Sequence, residues 1–170
     1  MEIKNFIDLH VHIGPELLPR KYSVQTLVQS EKGKIKGMAL KSHFFPTMPL
    51  IKSLKNGADL VLVGSVTLNN YIGGLNPDSI YASAKLSQLP IIVWFPTISA
   101  QQYLDRSEYE IAPEWVGGNF ISRKASMIEG IKVTDKWDTL TENTWKVLNA
   151  IKANNAILAT GHISWREARA

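Results

Sequence analysis

NFIDLHVHIGP, residues 5–15, alternates apolar and polar side chains in the manner of a β-strand. Alternate residues of a strand point to opposite faces, so Asp8, His10 and His12 share one face and the apolar side chains share the other. A wholly polar face is costly in an open sheet that helices cover on both sides. The interior of a closed barrel, in contrast, accepts polar side chains at the carboxyl ends of its strands. This strand therefore favours a barrel.

The rest of the chain alternates in the same way between strand-like and helix-like stretches. Short apolar runs rich in β-branched or aromatic residues predict strands over residues 5–13, 37–45, 59–68, 90–98 and 156–163. Capping residues and apolar periodicity predict four helices. Two cover residues 23–33 and 49–56. A third begins at the Asn76-Pro77 cap and ends before Pro90, and a fourth begins at a Thr139–Glu142 capping box. Segment 99–138 is less regular, with a loop at Gly117-Gly118 and an added short strand within residues 130–137.

This alternation predicts an α/β fold of the (β/α) TIM-barrel type, with about five of its eight βα units, as one domain over residues 1–170. A capping box at Ser164–Glu167, just before Ala170, predicts that a further helix begins there. We therefore expect the amino-terminal portion of a barrel, which either assembles as a homo-oligomer or lacks its carboxyl-terminal half.

Composition limits the possible functions. The chain has 170 residues, is 45% hydrophobic and carries a formal net charge of +4, with lysines scattered and never interleaved with aromatic residues as in a nucleic-acid-binding surface. It has no cysteine, which excludes disulfides, thiolate zinc sites and cysteine nucleophiles. No apolar run approaches the ~20 residues of a membrane span, and the first residues lack a signal-peptide core. We expect a cytoplasmic protein with a small-molecule substrate, and neither nucleic acid nor membrane as a partner.

His10 and His12 form a His-x-His pair on the first strand. Residues two apart on a strand lie ~6.6 Å apart on one face, so their imidazoles can converge on a single ion. Imidazole ligands suit zinc first, with iron or nickel possible and manganese if a carboxylate joins. The alternative is a chance pair on a half-buried strand, hydrogen-bonded to neighbouring hydroxyls. We predict a divalent metal.

All four histidines, the third and fourth being His43 and His162, lie at or near the carboxyl ends of predicted strands. Parallel strands bring those ends to the same edge, so we predict that all four line one pocket. The alternatives are a core histidine bonded to a backbone carbonyl for His43 and a residue flanking the Ser164 cap for His162.

Lys41 points the same way as His43, and a buried ammonium needs a partner. Three roles are open: a pair with Asp8, contact with an anionic substrate, or modification to a carbamylated lysine that bridges two metals. The loop after the third predicted strand offers Asn69, Asn70 and Asn76 as substrate-binding amides, or else forms a polar turn with a helix cap.

Several motifs together resemble a known family. DLHVHIGP at residues 8–15 resembles the first-strand motif of the amidohydrolase superfamily and of PHP-type hydrolases. KSHFFPT at 41–47, GSVTLNNYIGGLNP at 64–77, FPT at 95–97 and ATGHIS at 159–164 look like an uncharacterised branch of amidohydrolase-like, metal-dependent hydrolases.

The resemblance implies roles for the histidines. His10 and His12 would be the first-strand metal ligands, His162 a ligand on the fifth strand, and His43 a ligand as in PHP-type enzymes. Lys41 is not a clean match, because the bridging lysine of amidohydrolases belongs to the fourth strand. The later histidine and the water-activating aspartate of the family have no counterpart.

The residues and the resemblance together favour a metal-dependent hydrolase that cleaves a C–N, ester or phosphoester bond of a small molecule. His10, His12 and His162 would hold the metal. His43 would hold a second ion or transfer protons, and Lys41 would join it as a catalytic residue that contacts substrate. Two alternatives are a catalytically inactive, truncated barrel that binds a metal or ligand or serves in assembly, and a metal-dependent decarboxylase.

Overall fold

A computed structural model describes residues 3–54, 59–116, 121–136 and 138–170 of the chain. Its strands are β1 (Ile7–His12), β2 (Gly37–Lys41), β3 (Val61–Val63), β4 (Ser65–Thr67), β5 (Ile92–Trp94) and β6 (Ile157–Ala159). Its helices are α1 (Val24–Glu31), α2 (Met48–Lys52), α3 (Pro77–Leu86), α4 (Gln101–Leu104) and α5 (Glu142–Ala153). Short 3-10 turns lie between several of these elements.

The strands form two separate three-stranded sheets, and the TIM-barrel prediction is wrong. One sheet has the order β1-β2-β3 and the other the order β4-β5-β6, with all pairs parallel. The fold is therefore a small α/β fold, without the five consecutive βα units of a partial barrel. The difference lies in the predicted strand 59–68, which breaks at Gly64 into β3 and β4, and these pair with different sheets.

Packing and hydroxyl groups explain the break. Gly64 lies against α2, where a Cβ would come within 2.5 Å of Met48 Cγ. Beyond it, Thr47 Oγ1 accepts from the Ser65 backbone N–H at 2.8 Å and donates to the Leu40 carbonyl at 3.0 Å. Ser65 Oγ donates to the same carbonyl at 2.6 Å. Side-chain hydroxyls thus replace the backbone ladder between β2 and β4.

Each sheet has its own apolar core. Residues of α3 and α5, with Ile80 and Val147 fully buried, cover the second sheet. Residues of α1, Leu27 among them, cover the first sheet. Ile51 of α2 packs against both clusters, so this short helix joins the two cores.

The helix caps agree only in part with the sequence predictions. Ser23 caps α1 as predicted. α5 is capped by Thr141 instead of Thr139, because Thr141 Oγ1 accepts from the Thr144 N–H at 3.2 Å.

Two sequence predictions were wrong: the helix after Ser164 and the added strand within residues 130–137. Some other predicted features fall on residues that the structure does not describe. Ser164 forms its capping box, but only a 3-10 turn (Glu167–Arg169) follows. Within residues 130–136 the backbone makes isolated bridges and no strand. Asn56-Gly57, Gly117-Gly118 and Trp137 lie outside the described residues.

The outer strands of the two sheets expose apolar side chains. Leu9 of β1 is 59% exposed and Ile157 of β6 is 51% exposed. The apolar face that the sequence assigned to the first strand is therefore covered only toward its carboxyl end, where Val11 packs against the core and Ile13 is buried. Within the described ranges, no helix has the length and apolar character that crossing a membrane requires.

We predict that Thr47→Val lowers the free energy of unfolding by about 1–3 kcal/mol, because it leaves the buried Ser65 N–H without its acceptor at nearly constant side-chain volume. Chemical denaturation monitored by circular dichroism measures the change. The matched control is Thr139→Val on the exposed surface, expected within about 0.5 kcal/mol of the parent. Equal costs for the two variants would show that the hydroxyl junction is not important for stability.

Candidate functional site

The structure brings all four histidines to one end of the two sheets. His10 and His12 come from the end of β1, His43 follows β2, and His162 follows β6. The ring centroids are 5.1 Å apart for His10 and His12, 4.7 Å for His12 and His43, and 6.3 Å for His43 and His162. The four rings form a continuous group, which we call the histidine cluster.

Two cationic side chains hydrogen-bond to the His10–His12 pair. The Nε2 atoms of the two rings are 3.2 Å apart. Lys41 Nζ lies 3.1 Å from His10 Nε2, and Arg20 Nη2 lies 3.2 Å from His12 Nδ1. The pair thus lies between an ammonium and a guanidinium.

These contacts determine which ring nitrogens carry protons. Lysine and arginine can only donate, so His10 Nε2 and His12 Nδ1 are both acceptors. Neutral His12 then carries its proton on Nε2 and donates it to His10 Nε2. Neutral His10 correspondingly carries its proton on Nδ1. In this arrangement the single lone pair of His10 Nε2 is shared between two donors, Lys41 Nζ and His12 Nε2.

Arg20 is held in place by Glu16, which the sequence analysis did not select. The Glu16 side chain is fully buried and forms an ion pair with Arg20. Its carboxylate also accepts from Ser42 Oγ at 2.5 Å and from the His43 N–H at 3.2 Å. The i, i+4 spacing of Glu16 and Arg20 after Pro15 was the available signal, but it does not reveal that the pair turns inward.

His43 is buried and is oriented by the loop after β5. Its Nδ1 lies 2.8 Å from Thr97 Oγ1, which also accepts from Asn69 Nδ2 at 2.8 Å. Asn69 Oδ1 accepts from the backbone N–H groups of Thr97 and Ser99 at 2.7 and 3.2 Å, and Nδ2 donates to the His43 carbonyl at 3.0 Å. Asn69 is therefore placed as a buried support for His43.

The other two asparagines of the predicted substrate loop lie apart from the histidine cluster. Asn70 Nδ2 donates to the Glu129 carbonyl, and the residue lines a cavity of about 560 Å³ together with Arg123 and Lys132. Asn76 is the N-cap of α3 and accepts from the Asp78 N–H at 3.0 Å. Within the described chain, none of the side-chain hydrogen bonds of Asn70 and Asn76 reaches a histidine.

Lys41 is almost completely buried, with 1% of its surface exposed. Its Nζ lies 4.0 Å from the centre of the Trp94 ring, a cation–π contact. Lys41 and Asp8 form no ion pair, and Asp8 Oδ1 accepts instead from the His10 backbone N–H at 2.9 Å. Among the described residues, no carboxylate forms an ion pair with Lys41. Burial and then the charge of Arg20 lower the pKa of Lys41 to about 8.

Partial or complete desolvation lowers the pKa of all four imidazoles, which favours their uncharged form at neutral pH. It is the largest cause that lowers the pKa of His12 to about 3 and the pKa of His43 to about 2. Burial and then the Lys41 ammonium also lower the pKa values of His10 and His162. Neutral imidazole is the form that binds a metal ion.

His162 reaches the cluster because of the glycine before it. Gly161 has a φ of +62°, and a Cβ there would lie 2.6 Å from the Pro96 carbonyl oxygen. That close approach lets the His162 N–H donate to the same carbonyl at 2.8 Å. The His162 ring then lies 5.6 Å from the ring of Tyr103, between centroids.

The nitrogen donors fit a metal in part. Two imidazole nitrogens bound to one ion at ~2.0–2.1 Å with tetrahedral geometry lie ~3.3 Å apart, and the His10 and His12 Nε2 atoms are 3.2 Å apart. Searched over the described ranges, however, no three His, Asp or Glu side chains are close enough together to hold an ion. The geometry therefore offers a ligand pair, with His43 and His162 nearby as further donors.

We predict that Gly161→Ala destabilises the protein by at least about 2 kcal/mol more than Gly33→Ala. Both positions have positive φ, but a Cβ at Gly33 meets no atom within 4 Å, whereas at Gly161 it collides with backbone carbonyls. Urea denaturation of both variants measures the difference. Similar losses in the two variants would mean that the backbone next to His162 can move away.

Comparisons with known proteins identify a family for the chain but no function. A family model described as a family of unknown function (DUF6282) matches residues 5–170. No curated protein and no solved structure matches the chain.

Proposed function

The chain belongs to DUF6282, a family of unknown function, and from its site we propose that it is a metal-dependent hydrolase of small molecules, of amidohydrolase-like type. One observation carries the proposal: all four histidines of the chain, drawn from the ends of β1, β2 and β6, meet in one cluster. Chance placement does not bring every histidine of a chain together. Three distant segments contribute, so local sequence does not explain the cluster either.

His10 and His12 are the proposed ligands, because the distance between their Nε2 atoms matches that of two ligands of one ion. His162 is the proposed third ligand, since of the two remaining histidines it is the exposed one, whereas His43 is buried. Zinc fits an imidazole set best, with manganese, iron and nickel as other candidates. When bound, the ion would polarise the scissile carbonyl or phosphoryl oxygen and acidify a water molecule.

His43 is proposed as the proton-transfer residue. It is buried, and Thr97 fixes its Nδ1, while its Nε2 makes no hydrogen bond within the described residues. Asn69 holds Thr97 in turn, which makes it a positioning residue for this step. An imidazole with one fixed nitrogen can carry a proton from water to the leaving group, and this role requires that its pKa in the loaded site lie closer to neutrality than the value of about 2 in the metal-free chain.

Lys41 is proposed to contact the substrate. Its ammonium lies at the His10 end of the cluster without a carboxylate partner in the described chain. An anionic group of the substrate would provide the missing counter-charge.

The rival proposal is a catalytically inactive protein that binds a metal or ligand through the same cluster. Its support is the lack of a three-ligand set among the described residues. It predicts metal or ligand binding without turnover. The proposed enzyme predicts both.

We expect purified protein, stripped with a chelator and reloaded with zinc, to hold about one ion per chain, and His12→Ala to hold a small fraction of that. Plasma mass spectrometry after gel filtration measures the stoichiometry. Tyr81→Ala, which removes an exposed ring on α3, is the control and should bind like the parent. Equal zinc in His12→Ala and the parent would exclude His12 as a ligand.

We expect His43→Gln to keep its zinc and to lose a factor of about 10²–10⁴ in kcat, because it removes a proton carrier and no ligand. Turnover is measured on the best of a panel of amide, ester and phosphoester substrates, with the zinc-loaded parent as reference. A zinc-loaded parent that turns over no member of the panel would favour the inactive binding protein. Loss of zinc in His43→Gln would instead make His43 a ligand.

Self-association is part of the proposal, with Leu9 of β1 and Ile157 of β6 as exposed apolar residues on the outer strands. We expect light scattering of the 19.0 kDa chain at micromolar concentration to give a mass above that of a monomer. A monodisperse monomer over a dilution series would contradict this. A cytoplasmic location also stays a prediction.

A further inference from the structure

We propose that Lys41 and Arg20 act as internal cations that bind the His10–His12 pair and compete with a metal ion for it. The inference deepens the proposed function, and rests on it, by naming what controls metal access to the site. In this inference Lys41 opposes metal binding, whereas a ligand or a bridging carbamylated lysine would support it.

The first step concerns Lys41. Its ammonium donates to His10 Nε2 at 3.1 Å, and that lone pair is the one a metal shared with His12 would use. Lys41 is 1% exposed, so the ammonium is not a surface group that swings away freely. A divalent ion on His10 would lie close to the buried Lys41 ammonium, which has no carboxylate partner among the described residues, and charges of the same sign repel.

The second step concerns Arg20. Its guanidinium donates to His12 Nδ1 at 3.2 Å, which leaves the neutral ring with its proton on Nε2. His12 can then present an Nε2 lone pair to a metal only if Arg20 gives up this bond. The buried carboxylate of Glu16 resists that movement, because it binds Arg20 and also Ser42 and the His43 N–H.

The two contacts have the same consequence. In the metal-free chain both histidines accept hydrogen bonds from cations, and a metal must displace both donors. The competition lowers metal affinity, so it admits ions that bind imidazole tightly and excludes those that bind it weakly. Lys41 and Arg20 therefore determine which divalent ions reach the pair.

The test is the zinc affinity of the 170-residue chain, measured by competition with a chromophoric chelator at one fixed pH. Lys41→Met keeps the length of the side chain, suits its buried position and removes the charge. We expect it to bind zinc at least tenfold more tightly than the parent, and Arg20→Gln to bind more tightly as well. Lys34→Met is the matched control: it removes an exposed ammonium that pairs with Glu31, and it should stay within twofold.

Unchanged or weaker zinc binding by Lys41→Met would overturn the inference while the proposed function stands, since the parent would still bind. Lys41→Gln guards against an effect of the thioether and should also bind more tightly. If neither the parent nor any variant binds zinc, the proposed function fails and this inference fails with it.

A second readout uses the metal-free chain. Nitrogen-15 chemical shifts of the imidazoles should show His10 protonated on Nδ1 and His12 protonated on Nε2, as the two donors require. Lys41→Met should change the His10 signals, and Lys34→Met should leave them as in the parent. A His10 ring protonated on Nε2 in the parent would show that Lys41 does not donate to it, and would overturn the inference.

Discussion

Asn69 lies where the two sheets meet, and its carboxamide joins the loops that carry the site. One end of the amide accepts from two backbone N–H groups after β5, and the other end donates to the His43 carbonyl and to Thr97 Oγ1. All four bonds are buried, so each would cost about 1–3 kcal/mol if its partner were left unsatisfied. The position of His43 relative to β5 follows from this one side chain.

Hydroxyl groups continue the same junction toward the other sheet. Thr47 and Ser65 bond to the Leu40 carbonyl, and Thr67 Oγ1 donates to the Ser42 carbonyl at 2.7 Å. This junction of side-chain hydrogen bonds joins the two sheets without a backbone ladder between β2 and β4. It therefore brings the ends of β1, β2 and β6 together without a closed barrel.

The chemistry of the site follows from low solvation. The buried His43 imidazole stays neutral, and the buried Lys41 ammonium makes a cation–π contact with Trp94 and a hydrogen bond to His10. The Trp94 indole N–H is buried without a partner among the described residues. Such a group is a candidate donor for a water molecule or a ligand atom.

The sequence by itself determined which residues could form a site. Strand alternation in β1 put His10 and His12 on one face, and the position of each histidine at a strand end indicated a common edge. Local patterns also gave the approximate strand positions and the Ser23 cap, because alternation, capping and turns depend on neighbouring residues.

Only the tertiary structure decided how those strands assemble. Gly64 reads as the middle of one strand, and its contact with Met48, which lies far from it along the chain, divides that strand between two sheets. The roles of Glu16 and Arg20 were likewise hidden, because an i, i+4 ion pair looks the same whether it faces water or a buried histidine. Packing between distant segments determines both the division of the strand and the inward position of the ion pair. A pattern of neighbouring residues does not contain this information.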